Sequence, residues 1–84
     1  MIKIIEFGAP WCPACSQQEP LTKEFCEEND YEFEVVNVDE GNPLTETYTI
    51  STLPTIIVLS HGSLVGVFTG FTNPKEFAEL ISGL

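Results

Sequence analysis

The chain has no arginine and only three lysines among its 84 residues, against thirteen aspartates and glutamates, so its formal charge at pH 7 is −10. A chain with this excess of negative charge is repelled by the phosphates of nucleic acids and by anionic membrane surfaces. It also lacks an apolar run near the roughly 20 residues needed to cross a bilayer, because its longest apolar runs, such as residues 55–59, have the length of a strand. We therefore expect neither a nucleic-acid partner nor a membrane association.

Cysteine is scarce as well, with three residues in the chain. An odd number argues against a secreted scaffold held by several disulfides, and one reactive pair plus a buried packing residue, Cys26, fits better. The start of the chain mixes apolar residues with charge and has no small-residue cleavage site, unlike a signal peptide. Proline and glycine, at six residues each, are too few to indicate disorder. We expect a single domain spanning residues 1–84, acting as a monomer in the cytoplasm.

The hydrophobic pattern predicts four strands and three helices. Strands are predicted at residues 2–7, 31–38, 55–59 and 64–68, and the turn cluster at 60–63 makes the last two an antiparallel hairpin. Helices are predicted from Pro13 to about Glu28, from residues 42–43 to Tyr48, and from residues 73–74 onwards. In the first helix Leu21, Phe25 and Cys26 have core-facing spacing. The order βαβ, short helix, ββα predicts an α/β fold, a four-stranded mixed sheet flanked by helices.

Two cysteines stand where the first predicted strand gives way to the first helix: Cys12 and Cys15, with Pro13 and Ala14 between them. Unpaired backbone N–H groups and the positive end of the helix dipole favour a thiolate at such a position. We therefore predict that Cys12 is a nucleophile and that Cys15, one turn into the helix and closer to the core, is the resolving thiol. In such chemistry a thiolate attacks a disulfide and a second thiol resolves the mixed disulfide.

Zinc binding is the competing interpretation of this pair. A structural zinc site needs four ligands, normally two cysteine pairs or one pair with histidines. This chain offers one pair and His61, which falls in a predicted turn. We therefore expect no mononuclear metal site, whereas a cluster shared between two subunits stays open.

Residues 7–15, Phe-Gly-Ala-Pro-Trp-Cys-Pro-Ala-Cys, resemble the active-site segment of thioredoxins, and the resemblance extends over essentially the whole chain. Its further landmarks are Pro20, residues 36–39, Tyr48, Ile50, residues 53–56, residues 61–62 and Gly70. The resemblance implies a minimal thioredoxin fold and a protein disulfide reductase with no bound cofactor. Its substrates would be disulfide-containing proteins. Its reducing equivalents would come from NADPH through a thioredoxin reductase-like electron donor.

The resemblance also implies roles for individual residues. Pro54 would be a cis proline packed against the cysteine pair, and the substrate groove would be lined by Trp11, Pro13, Leu53, Pro54, Gly70 and Phe71. Glu6 stands where the family has a buried aspartate that helps to move the proton of the resolving thiol, and burial would raise its pKa. A Glu6 that reaches solvent is an equally open alternative. Val35 occupies the position of the family's lysine near this acid.

Two departures keep a second interpretation open. Pro13 and Ala14 replace the Gly-Pro insert usual in thioredoxins with the proline-first order of glutaredoxins, so the redox potential is not defined by the motif. We also expect a minimal core without the N-terminal strand and helix of full thioredoxins. The alternatives are a glutathione-dependent glutaredoxin-like redoxin or a dedicated electron donor to ribonucleotide reductase. Phe71 follows Gly70 where a glutaredoxin has a second glycine, which favours thioredoxin reductase. A non-catalytic acidic interaction module would not need two thiols at a helix start.

Overall fold

The computed structural model describes all 84 residues and contains the four strands and three helices that the sequence predicts. Every bound that was predicted lies within one residue of the observed one; for the last helix only the start was predicted. The strands are β1 (Ile2–Gly8), β2 (Glu32–Asn37), β3 (Thr55–Ser60) and β4 (Ser63–Thr69). The helices are α1 (Pro13–Asn29), α2 (Pro43–Thr47) and α3 (Pro74–Ser82), with a short 3₁₀ helix at Val38–Glu40. None of the helices combines the length and the apolar character that a membrane crossing requires.

The strand order in the sheet is β2-β1-β3-β4. The β1 strand pairs in parallel with β2 and antiparallel with β3, and β3 pairs antiparallel with β4, so the sheet is mixed as predicted. The register pairs Phe7 with Thr55 and Thr55 with Thr69. The loop after β1, the loop before β3 and the loop after β4 therefore lie next to one another at the same end of the sheet.

Alternation along the strands sends neighbouring side chains to opposite faces of the sheet. Ile4, Ile56 and Phe77 belong to the core on the face covered by α1 and α3. Ile5 and Phe7 belong to a second core, against which side chains of the α2 region pack. Burial on both faces explains why the two central strands are nearly continuous apolar runs.

The buried stripe of α1 differs from the predicted one. The helix buries Cys15, Gln18, Thr22 and Cys26, whereas Leu21 is 40% exposed, so the prediction that Leu21 faces the core was wrong. Consecutive helical residues are rotated by about 100°, and Leu21, next to Thr22, falls outside the stripe. Phe25 lies at its border and packs partly buried against the core.

Candidate active site

Cys12 is the N-cap of α1. Its backbone is extended, with φ −101° and ψ 104°, and Pro13 takes the first helical position. The backbone N–H of Cys15 donates to Cys12 Sγ at 3.2 Å. A thiolate at this sulfur would gain from this N–H group and from the positive end of the helix dipole. The helix start at Cys12 therefore provides surroundings that favour a thiolate at this sulfur.

Cys12 and Cys15 are joined by a disulfide, with their Cα atoms 5.2 Å apart. Both are buried, and their exposed fractions of 7% and 5% hardly differ. The difference between the two cysteines lies in their surroundings, because each lines a separate cavity. Exposure alone therefore does not distinguish an attacking thiol from a resolving one.

The cavity beside Cys15 has a volume of about 200 Å³ and contains Glu6. Glu6 is 1% exposed, and its Oε1 has no hydrogen-bond partner. Burial, and to a lesser extent the charge of Glu19 in the same cavity, raises its pKa to about 8. Of the two alternatives for Glu6, the structure therefore has the buried one. No cation offsets this shift, since Glu19 is the only charged group that contributes to it, and the partner of Glu6 on β2 is Val35.

The cavity beside Cys12 has a volume of about 450 Å³ and an apolar lining. It contains three of the predicted groove residues, Trp11, Pro13 and Leu53. Trp11 is 67% exposed, and its Nε1 donates to Asp39 Oδ2 at 2.7 Å, which fixes the ring at the edge of the cavity. The cavity has three further lining residues that were not predicted: Val38, Ile50 and Ser51. The segments that carry the resemblance already included Val38 and Ile50.

The remaining predicted groove residues lie next to this cavity without lining it. The Leu53–Pro54 peptide bond is cis, as predicted. The Gly70 N–H donates to the Pro54 carbonyl at 2.8 Å, so the loops before β3 and after β4 are held together. Phe71 follows with its side chain half exposed. The fold thus brings all the predicted site residues to one end of the sheet, except Glu6, which lies within β1 behind Cys15.

No group of three or more His, Cys, Asp or Glu side chains is arranged to hold a metal ion. His61 follows the opposite end of β3 from Pro54, about 20 Å away at the rise of an extended strand. Its ring lies beside the N-terminal amine of Met1. His61 therefore does not complete a metal site with the cysteine pair.

The sequence and the fold of the chain were compared with those of known proteins, and thioredoxins match both. The Thioredoxin family model matches residues 1–83. A thioredoxin of Mycoplasma genitalium is 37% identical over 80 residues, which cover 94% of this chain and 78% of that protein. One of Mycoplasmoides gallisepticum is 30% identical over 79 residues, covering 93% and 79%.

A reduced thioredoxin pre-protein of Schistosoma mansoni, known from a crystal structure, has 31% sequence identity to this chain. It matches the fold with a TM-score of 0.85, covering 99% of this chain and 79% of that one. This likeness confirms the predicted fold. The paired cysteines at the start of α1 have the sequence and the geometry of a thiol–disulfide oxidoreductase. The chain therefore belongs to the thioredoxin family, with Cys12 and Cys15 as its redox-active pair.

Proposed function

We propose that the protein reduces disulfides of other proteins as a cytoplasmic monomer, with Cys12 as the attacking thiolate and Cys15 as the resolving thiol. Cys12 attacks one sulfur of the substrate disulfide, forms a mixed disulfide and releases the other sulfur as a thiolate. Cys15 then attacks Cys12 Sγ, which releases the second substrate thiol and leaves the Cys12–Cys15 disulfide. The substrate gains two electrons and the cysteine pair loses two.

The observation that carries this division of roles is that the two cysteines line different cavities. Cys12 shares the larger, apolar cavity with Trp11 and Leu53, where an extended segment of a substrate would bind against side chains and backbone. Pro54, Gly70 and Phe71 would extend this groove on the side of the loops before β3 and after β4. Cys15 shares the smaller cavity with a buried acid and has no comparable groove.

Glu6 would accept the proton that Cys15 loses before it attacks. A pKa of about 8 keeps most Glu6 side chains protonated at neutral pH, but the ionised fraction is a base close to the pKa range of thiols. Glu6→Gln preserves the shape and removes this base. We expect the second step to become slower, seen as a mixed disulfide that persists during turnover, while attack by Cys12 is less affected.

Trapping of the mixed disulfide tests the mechanism. Cys15→Ser removes the resolving thiol, so substrates should remain bound covalently to Cys12 and be released by dithiothreitol. The matched control is the double variant Cys12→Ser with Cys15→Ser, which should trap nothing. Failure of Cys15→Ser to form any adduct with oxidised insulin or with cell proteins would count decisively against the mechanism.

The electron donor is proposed to be a thioredoxin reductase that uses NADPH. The two electrons of NADPH would return to the Cys12–Cys15 disulfide, so the chain itself needs no bound cofactor. Insulin reduction should proceed with a bacterial thioredoxin reductase and NADPH, and it should be much slower with glutathione, glutathione reductase and NADPH. The reverse result would favour the glutaredoxin-like alternative.

A further inference from the structure

Gln18 makes an unusual set of contacts beneath the active site. It lies one turn of α1 beyond Cys15, and its side chain is completely buried. Its Nε2 donates to the carbonyl of Thr72 at 2.9 Å, and its Oε1 accepts the Thr72 N–H at 2.7 Å. The same Nε2 also donates to Thr22 Oγ1 at 2.9 Å. The amide therefore satisfies both backbone groups of one residue 54 positions away, as a neighbouring strand would.

These contacts connect the active-site helix to the loop that follows β4. Thr72 is buried, and its Oγ1 closes a local turn by donating to the Gly70 carbonyl at 3.0 Å. Gly70 is itself held by the bond from its N–H to the Pro54 carbonyl. Phe71 thus stands between two anchors, one on α1 and one on the loop that carries Leu53 and Pro54. Its backbone is fixed on both sides while its side chain stays half exposed.

We propose that Gln18 is a positioning residue for substrate selection, which holds Phe71 as a wall of the part of the substrate groove that extends beyond the cavity at Cys12. This inference rests on the proposed function, because it assigns Phe71 to the same groove. The side chain of Gln18 touches no substrate, so it acts only through the loop. A protein segment would contact the wall formed by Phe71, whereas a small disulfide would reach Cys12 without it. Gln18 therefore determines how far the protein prefers extended polypeptide substrates over small disulfides.

The experiment compares two oxidants of the pre-reduced protein, insulin and hydroxyethyl disulfide. Second-order rate constants come from acid quenching and thiol alkylation, so no reductase is needed. Gln18→Met removes all three side-chain hydrogen bonds at similar volume and leaves two buried backbone groups of Thr72 unpaired. We expect the rate constant for insulin, relative to that for hydroxyethyl disulfide, to fall roughly five- to tenfold.

Thr22→Val is the matched control on the same buried stripe, because it removes the bond to Thr22 and keeps both bonds to Thr72. It should leave the ratio of the two rate constants as in the wild type even if it lowers stability. If Gln18 acts through Phe71, Phe71→Ala should lower the ratio as well, and adding Gln18→Met to it should have little further effect. Equal losses for both oxidants in Gln18→Met, or independent effects in the double variant, would overturn the proposal.

Phe71→Ala changes an exposed side chain and keeps the proposal testable even where Gln18→Met does not fold. A Phe71→Ala protein with the wild-type ratio would refute it on its own. If wild-type protein reduced neither oxidant, the proposed oxidoreductase mechanism would fail. If the wild-type protein reduced insulin and hydroxyethyl disulfide but the variants did not show the expected ratios, the oxidoreductase mechanism would stand. Only the role proposed for Gln18 would then be wrong.

Discussion

Gly8 is the residue that allows Cys15 to approach β1. A Cβ atom at this position would lie 3.0 Å from Cys15 Cβ and 3.1 Å from its Sγ, closer than carbon and sulfur atoms normally pack. Cys15 Cβ is fixed to the helix backbone, so the first turn of α1 would have to move. We expect Gly8→Ala to destabilise the oxidised protein by about 1–3 kcal/mol in urea denaturation and to slow insulin reduction.

Gly83→Ala is the control for Gly8→Ala. A Cβ atom at Gly83 would meet its nearest neighbours at 3.6 and 3.8 Å, which is ordinary van der Waals contact. Its stability should stay within about 0.5 kcal/mol of the wild type. Equal stability of the two variants would show that Gly8 is not constrained by Cys15.

Cys26 is the third cysteine and behaves as a core residue. It is almost completely buried, and burial raises the pKa of its thiol to about 11. In the oxidised protein it is the only free thiol, so alkylation reports on it alone. At about pH 8 the folded protein should react with iodoacetamide at least 100-fold more slowly than the same protein in concentrated urea, because both burial and protonation suppress the thiolate. Similar rates in the two samples would contradict the buried position.

Single residues differ in how far the sequence could predict them. Cys12 and Cys15 could be identified because two thiols at a helix start have few other uses. For Glu6 the sequence left burial and exposure equally open, since only the central place of β1 in the sheet decides it. Gln18 gave no signal, because a glutamine in a helix is usually solvated and its partner Thr72 is distant in the chain.

The elements could be predicted closely because their signals are local. Prolines at the first helical position, preceded by Cys12, Asn42 and Asn73 as N-caps, mark the three helix starts. The strand order β2-β1-β3-β4 could not be read from the pattern, because pairing depends on tertiary packing. The same limit explains Leu21: its apolar side chain suggested burial, but the contact surface of α1 with the sheet includes polar Gln18 and Thr22 instead.

The contact between β4 and α3 depends on a missing side chain at Gly66. An added Cβ would collide with Cδ2 of Leu80, the flexible end of a side chain, so Leu80 would have to change rotamer. We expect Gly66→Ala to cost about 1 kcal/mol or less in urea denaturation, because alanine also favours the strand relative to glycine. In a Leu80→Ala background the same change should become neutral or stabilising. Additive effects of the two substitutions would show that the collision does not determine the cost.

Stability of the whole molecule should depend on pH through Glu6. Its pKa is about 8 in the folded protein, above its ordinary 4.5, so between these values the folded state keeps a proton that the unfolded state has lost. The contribution of Glu6 to the free energy of unfolding is therefore fully present below about pH 4.5 and is lost progressively up to about pH 8. The groups that face Glu6 from the packed elements are Glu19 and Cys15 on α1, with Val35 and Ile56 on the neighbouring strands.

Glu6→Gln imitates the protonated side chain and does not titrate. Its unfolding free energy should exceed that of the wild type by an amount that grows with pH, at most about 1.4 kcal/mol per unit, and levels off above about pH 8. Urea denaturation of the oxidised proteins between about pH 5 and 9 measures this difference, and a fixed moderate salt concentration limits the repulsion among the thirteen acidic residues.

Glu28→Gln is the control, because it removes one acid at an exposed position of α1, and its stability should change with pH in parallel with that of the wild type. When both proteins also carry Glu19→Gln, the stability difference that Glu6→Gln causes should level off at a lower pH. The reason is that the charge of Glu19 contributes to the raised pKa of Glu6. A Glu6→Gln curve parallel to the wild type would contradict the buried, neutral Glu6.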